Sequence, residues 1–159
     1  MNYFPPDMER CARDLGAACG HGALAAALGI PVVVAVLEGF HGRGGWVNIP
    51  MMQAAIQRAG RTWRREAQIP AAGDGVAIVQ WLGPWMEPRV PRRVRACYRH
   101  WIAFRDGLLW DANAHLWMTP EEWHGWIPQV YPRRVTGHRV DGAYVFNPQT
   151  TPHHHENSH

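Results

Sequence analysis

Ala18-Cys19-Gly20-His21-Gly22-Ala23-Leu24-Ala25-Ala26-Ala27-Leu28-Gly29 puts a cysteine where a glycine-rich entry gives way to strong helix formers, with Gly29 as the stop. A thiol in the first helical turn faces backbone N–H groups that have no partner within the helix. It also feels the positive end of the helix dipole, and both favour the thiolate. Gly20 and Gly22 let neighbouring backbone or a substrate come close. A lone cysteine beneath an Ala/Leu helix also fits a small buried core residue, so this stretch gains chemical meaning only from a second one downstream.

Outward from it, Met8 to Leu15 reads as a short helix between Pro5-Pro6-Asp7 and Gly16. Pro31 to Glu38 holds three consecutive valines and fits either a strand or a buried helix. Gly39 to Gly45, with His41, lacks the Lys and Ser/Thr of a phosphate loop and reads as a flexible connection. Pro50 to Ala59 predicts a helix with Met52, Ala55, Ile56 and Ala59 on one face and Gly60 as its stop. The pattern then turns extended. Val76 to Leu82 is a buried strand, Met86 to Arg93 a Pro/Arg-rich loop, and Val94 to Phe104 a second strand. Asp106-Gly107 joins that strand to Leu108–Asn113 as a two-residue hairpin turn. Thr119-Pro120-Glu121-Glu122 has the form of a capping box and opens a Trp-bearing helix ending at Pro128; Arg139 to Val145 predicts another hairpin. Helices first and antiparallel strands after predict one α+β domain over residues 1–151. The polar end, 152–159, with His153, His154 and His155, predicts a disordered tail.

Composition narrows the function. With 47% hydrophobic and 18% charged residues among 159, the chain is globular and long enough to bury about two-thirds of its unfolded surface. Its apolar run from Ala23 to Leu37 is broken by Gly29 and Pro31 and falls short of the ~18 residues of a membrane helix. Met1 to Asp7 lacks the basic and apolar regions of a secretory leader. Three cysteines, Cys11, Cys19 and Cys97, have no disulfide-like spacing, so a reducing, cytoplasmic setting is expected. All sixteen basic residues are arginine, which excludes any lysine base or Schiff base. Arg58, Arg61, Arg64 and Arg65, then Arg89, Arg92, Arg93, Arg95 and Arg99, form two clusters; without a recognisable binding motif and at a net charge of +3, they argue for solvated faces over nucleic-acid binding. Cys11, Cys19, His21 and Cys97 show no metal-ligand spacing, so neither a metal nor a cofactor is expected.

The second decisive stretch is the hairpin. With Asp106-Gly107 as its loop, facing residue numbers add to 213, pairing Arg105 with Leu108 and His100 with Asn113. Directly opposed Cβ atoms lie about 5 Å apart, whereas Asp111, diagonal to His100 on the same face, would be about 7–8 Å away. Register therefore favours Asn113 as the residue that orients His100. A carboxylate would stabilise an imidazolium better than an amide, which keeps Asp111 as the other candidate. A histidine with such a neighbour is the base-plus-orienter half of a nucleophile triad, and Cys19 supplies the nucleophile. A strand histidine bonded to Asn113 purely for structure also fits these residues.

The order of cysteine at a helix start, then histidine, then Asn or Asp on following strands resembles the papain-like cysteine peptidases. Cys19-Gly20 with Leu24 and Leu28 is similar to the cysteine helix of bacterial double-glycine-leader peptidases and Josephin-type deubiquitinases. His100-Trp101-Ile102-Ala103-Phe104 and Trp110-Asp111-Ala112-Asn113 resemble their His-Trp and aromatic-x-x-(Asn/Asp) signatures. The resemblance implies a papain-like fold and hydrolysis of a peptide, isopeptide or amide bond through Cys19, His100 and Asn113 or Asp111. It implies a protein or peptide as substrate, with no membrane partner. The family usually carries a glutamine five or six residues before the cysteine, completing the oxyanion hole; here those positions hold Asp14 and Arg13. Arg13 is a candidate replacement donor. Loss of one such donor costs on the order of a hundredfold in rate, so a catalytically impaired papain-like fold serving as a protein-binding or inhibitory module is the alternative.

Overall fold

The computed structural model describes residues 5–130 and 134–149; the histidine-rich end, 152–159, lies outside the described residues. The architecture is mixed α+β, with the early helices preceding a six-stranded antiparallel sheet and later ones lying between its strands in sequence. The early helices are α1 (Met8–Leu15), α2 (Cys19–Leu28), α3 (Val32–Val34, continued as a π-helical segment Ala35–Gly39) and α4 (Ile49–Arg58). Then come β1 (Trp63–Glu66), β2 (Asp74–Leu82), the short α5 (Arg92–Ala96), β3 (Arg99–Arg105), β4 (Leu108–Asp111), β5 (Leu116–Met118), α6 (Pro120–Val130) and β6 (Gly137–Phe146). The strand order is β1-β6-β2-β3-β4-β5, so the last strand inserts between the first two.

Side chains alternate across the sheet. Val76, Ile78, Trp101, Ala103, Trp110 and Tyr144 form one face and pack beneath α1–α4. Ala77, Val79, Trp81, Ile102, Phe104 and Val145 form the other, with Trp123 and Ile127 of α6 against them. α2 lies along β3, and its glycines are what let it. A Cβ on Gly22 would stand 2.8 Å from Met8 Sδ and 2.9 Å from the Trp110 ring, and one on Gly20 would stand 2.6 Å from Val47 Cβ. The far end of α2 is held by Arg105, which donates to the carbonyls of Ala27 (2.7 Å) and Ala26 (3.4 Å) and places positive charge at the helix C-terminus. Buried Asp7 ties α1 to α3 by accepting the N–H groups of Val32 (2.9 Å) and Val33 (3.0 Å).

The helix boundaries expected for α1 and α2 agree with the structure, and Gly16 and Gly29 take left-handed backbone at their ends. Pro31–Glu38 resolves as helix, and Ala59 is exposed at the end of α4 instead of joining its apolar face. Three other expectations are corrected. Val94–Tyr98 is not strand: Pro91 starts α5, an exposed arginine-rich turn of helix with no buried residue. The α6 helix does not stop at Pro128 but continues to Val130. Arg139–Val145 is no hairpin but part of β6, with a bulge at Asp141: β2 pairs Ile78 with Gly142 and Val79 with Val140. Among the described residues no single helix is long and apolar enough to cross a membrane.

The glycines of α2 and α6 predict opposite responses to one methyl group. Gly22→Ala should lower stability by about 1–3 kcal/mol, because the Trp110 ring cannot yield. Gly125→Ala, in exposed α6 with nothing within 4 Å of its new Cβ, should raise it by about 0.5–1 kcal/mol. Thermal denaturation of the two variants checks both signs.

Candidate functional site

Cys19 opens α2, half-buried, after Ala18 in extended backbone. The start of the helix is fixed by His21, whose Nδ1 accepts the Ala18 N–H at 3.0 Å while its Nε2–H donates to the Arg43 carbonyl at 2.7 Å. Burial holds the His21 pKa below its ordinary value, against the two hydrogen bonds. The neutral ring is the form that can both accept and donate. Gly20, against Val47, lets the helix start sit on the segment that Trp101 holds through its Nε1–H bond to the Val47 carbonyl (2.7 Å).

The thiol meets β3. The Trp101 N–H donates to Cys19 Sγ at 3.5 Å, and His100, the preceding residue, lies near enough to the thiol for the two groups to shift each other's pKa. His100 Nε2 is 2.9 Å from Asp111 Oδ1, which leaves Nδ1 as the nitrogen facing Cys19. Asp111, fully buried, also accepts Trp123 Nε1–H at 3.0 Å through Oδ2 and the Asn113 N–H at 2.9 Å through Oδ1. Trp81 stacks on the His100 ring, centroids 5.6 Å apart and planes 26° apart.

Asp111, and not Asn113, is therefore the orienter of His100, contrary to the expectation from register. The two-residue turn and the pairs Arg105–Leu108, Phe104–Leu109 and Ala103–Trp110 form as predicted. The ladder then ends, because β4 stops at Asp111. Its carbonyl accepts the N–H groups of Ala114 and His115, its carboxylate accepts that of Asn113, and the chain turns back into β5. Asn113 never arrives opposite His100 and is exposed; its backbone N–H donates to the Asp111 carboxylate. The diagonal distance to Asp111 is spanned by the length of the imidazole, whose far nitrogen makes the bond. The early end of β4 also leaves the Trp101 N–H free to meet the sulfur.

The electrostatics are those of an ion pair. For His100, burial opposes the charge, but the Asp111 carboxylate and its hydrogen bond, aided by Cys19, outweigh it and raise the pKa to about 10. Burial likewise works against a Cys19 thiolate, yet the His100 hydrogen bond and charge and the Trp101 N–H hold its pKa below the ordinary value. Asp111 is also held low despite burial, chiefly by His100 and then by the Trp123 and Asn113 donors. A thiolate beside an imidazolium that a carboxylate orients can attack a carbonyl carbon and return a proton to the leaving group.

The other cysteines do not share this setting. Cys11 is buried on Asp7, where burial and the carboxylate push its thiol up; Cys97 is exposed at the end of α5. Among the described residues no cluster of His, Cys, Asp or Glu is arranged to hold a metal. Arg13 does not replace the glutamine: its side chain is 73% exposed and paired with Asp14 at 2.9 Å. Trp123, Trp81 and His21 are site residues that the sequence reading did not assign. Only the Thr119 capping box, which forms as expected (Thr119 N–H to Glu122 at 2.7 Å), pointed to the helix that carries Trp123.

Two measurements follow from this geometry. At pH 6, iodoacetamide should alkylate Cys19 at least about tenfold faster than Cys11 or Cys97, read by peptide mass spectrometry. Its rate should fall as pH drops through the depressed Cys19 pKa, because the thiolate takes up a proton, and should hold level between that pKa and about 10, where His100 loses its charge. Asp111→Asn should slow labelling at neutral pH about tenfold or more, since the imidazolium loses its counter-charge. Comparison with protein-family models, with curated proteins and with solved structures finds no match to this chain.

Proposed function

We propose that the protein is a papain-like thiol hydrolase that cleaves a peptide, isopeptide or amide bond. The observation that carries this reading is the convergence of Cys19, His100 and Asp111: the sulfur meets the backbone N–H next to His100, and a buried carboxylate holds the imidazole. A cysteine at the N-terminus of a helix packed on an antiparallel sheet, with the histidine and carboxylate on adjacent strands in that chain order, supports the papain-like assignment.

The Cys19 thiolate attacks the carbonyl carbon and forms a C–S bond. His100 Nδ1–H then passes its proton to the amide nitrogen as the C–N bond breaks, releasing the amine and leaving a thioester. Water gives a proton back to Nδ1 and attacks the thioester, so a carboxylic acid departs and the thiolate is restored. The N–H groups of Cys19 and Gly20 begin α2 with no carbonyl one turn back in the helix, and are placed to meet the oxyanion. Trp81 and Trp123 shield the His100–Asp111 pair from water and strengthen it.

A second reading, a binding module without turnover, draws on one observation: Arg13, at the position of the family's oxyanion glutamine, is turned to solvent on Asp14. Turnover separates the two. A mixed-sequence pool of internally quenched peptides should be cleaved by the wild type and not by Cys19→Ala, and hydroxylamine should divert the acyl group of the Cys19 thioester into a peptide hydroxamate. Cleavage that survives Cys19→Ala would sink the hydrolase reading; a reactive Cys19 with no turnover of any peptide favours the binding module.

A further inference from the structure

The sheet face that carries α2 ends in a cavity of about 480 Å³ lined by Gln80, Arg92, Arg93, Arg95, Arg99 and Arg139. Gln80 pairs with Arg99 on β3 and with Arg139 on β6, so these three form a row across the sheet. Arg99 precedes Trp101 by two residues and therefore shares its face, about 7 Å along the strand. The Trp101 N–H is the group that touches Cys19 Sγ. Since α2 runs from Trp101 at Cys19 to Arg105 at its far end, Arg99 places the cavity on the thiol side of the helix and not on its far side.

Its charge is poorly compensated. Asp141 serves two of the arginines, Arg139 Nε at 2.9 Å and Arg99 Nε at 3.3 Å. Arg95 donates to the carbonyls of Glu87 (2.8 Å) and Pro88 (3.3 Å), and its Nε is buried with no partner. Arg92 and Arg93 have no ion-pair partner among the described residues. The other arginine cluster differs: Arg58 bonds the Gly39 carbonyl, Arg61 pairs with Asp74, Arg64 with Glu66, and Arg65 bonds the Asp141 carbonyl. The cavity is also built: buried Gln80 Nε2 donates to the carbonyls of Trp81, Arg95 and Tyr98, pinning α5 and the turn before β3 to the sheet. Five guanidinium groups around one concavity repel one another, and an anion entering it relieves that repulsion. The planar fork of arginine matches a carboxylate or phosphate.

We propose that this cavity is a substrate subsite that receives an anionic side chain, carboxylate or phosphate ester, of a peptide lying beside the bond that Cys19 attacks. The inference rests on the hydrolase reading of Cys19 and makes acidic peptides its substrate class.

Binding is tested without catalysis, using Cys19→Ala protein and short fluorescein-labelled peptides that alternate glycine with glutamate, phosphoserine, serine or lysine, beside a single-stranded oligonucleotide. The glutamate or phosphoserine peptide should bind and the serine and lysine peptides should not; the tighter of the two anions identifies the group. Arg93→Gln/Arg95→Gln should lower that affinity by about tenfold or more, and Arg92→Gln/Arg93→Gln, which removes two exposed side chains, should act in the same direction with the fold intact. In the wild type the bound anionic peptide should slow iodoacetamide labelling of Cys19 severalfold. Failure of both anionic peptides to bind, indifference to both double substitutions, tighter binding of the oligonucleotide, or binding that leaves Cys19 labelling unchanged would each overturn the inference. Slow, unselective labelling of Cys19 without peptide would overturn the hydrolase reading instead.

Discussion

A carboxylate with no exposed surface persists in this protein because three donors converge on it. Isolated in a low-dielectric interior, the Asp111 charge would cost several kcal/mol, and its natural escape would be to take up a proton. His100, Trp123 and the backbone of Asn113 remove that escape, each from a different part of the chain: β3, α6 and the turn after β4. The same residue thus ends a strand, docks a helix and charges a histidine. The charge on His100 in turn depends on Asp111 more than on Cys19, so the polarity of the thiol is set by a group that does not touch it.

On the other side of the sulfur, the constraint is steric. A helix must bring its first turn within reach of a central strand, which ordinary side chains would prevent, and Gly20 and Gly22 leave room for Val47 and Trp110. Polar contacts fix the two ends: His21 at the start and Arg105 at the finish. Helix and strand are therefore locked in register along their length, and the sulfur has little freedom relative to the imidazole.

The local parts of this arrangement were legible in the sequence. Helix formers between Cys19 and Gly29 define α2, and Asp106-Gly107 defines the hairpin and its first three pairs, because turn chemistry and propensity act over a few residues. The choice of Asp111 over Asn113 was not, since counting register presumes that β4 runs on, and where it ends is decided by an aspartate that turns its own chain. Asp-Ala-Asn-Ala is turn-prone in composition, yet it competes with a ladder whose strength depends on packing. The bulge at Asp141 disguised a long strand as a hairpin in the same way, through an Asp-Gly pair that signals a turn in other contexts. The bonds from Trp123 and Trp101 join residues distant in sequence, and no periodicity encodes them.

The strand order carries a consequence for how the chain reaches this state. β6 lies between β1 and β2, so the place between them stays open until β6, the sixth strand in chain order, has been made. Pairings such as Trp63 with Phe146 close very long loops, and contacts of that separation slow folding. During synthesis from the N-terminus, the cysteine helix emerges first, its base and carboxylate follow on β3 and β4, and β6 comes after all three. A chain that stops before β3 thus has a thiol without its ion pair, and one that stops before β6 holds the thiol, imidazole and carboxylate but leaves β1 without its neighbour in the sheet.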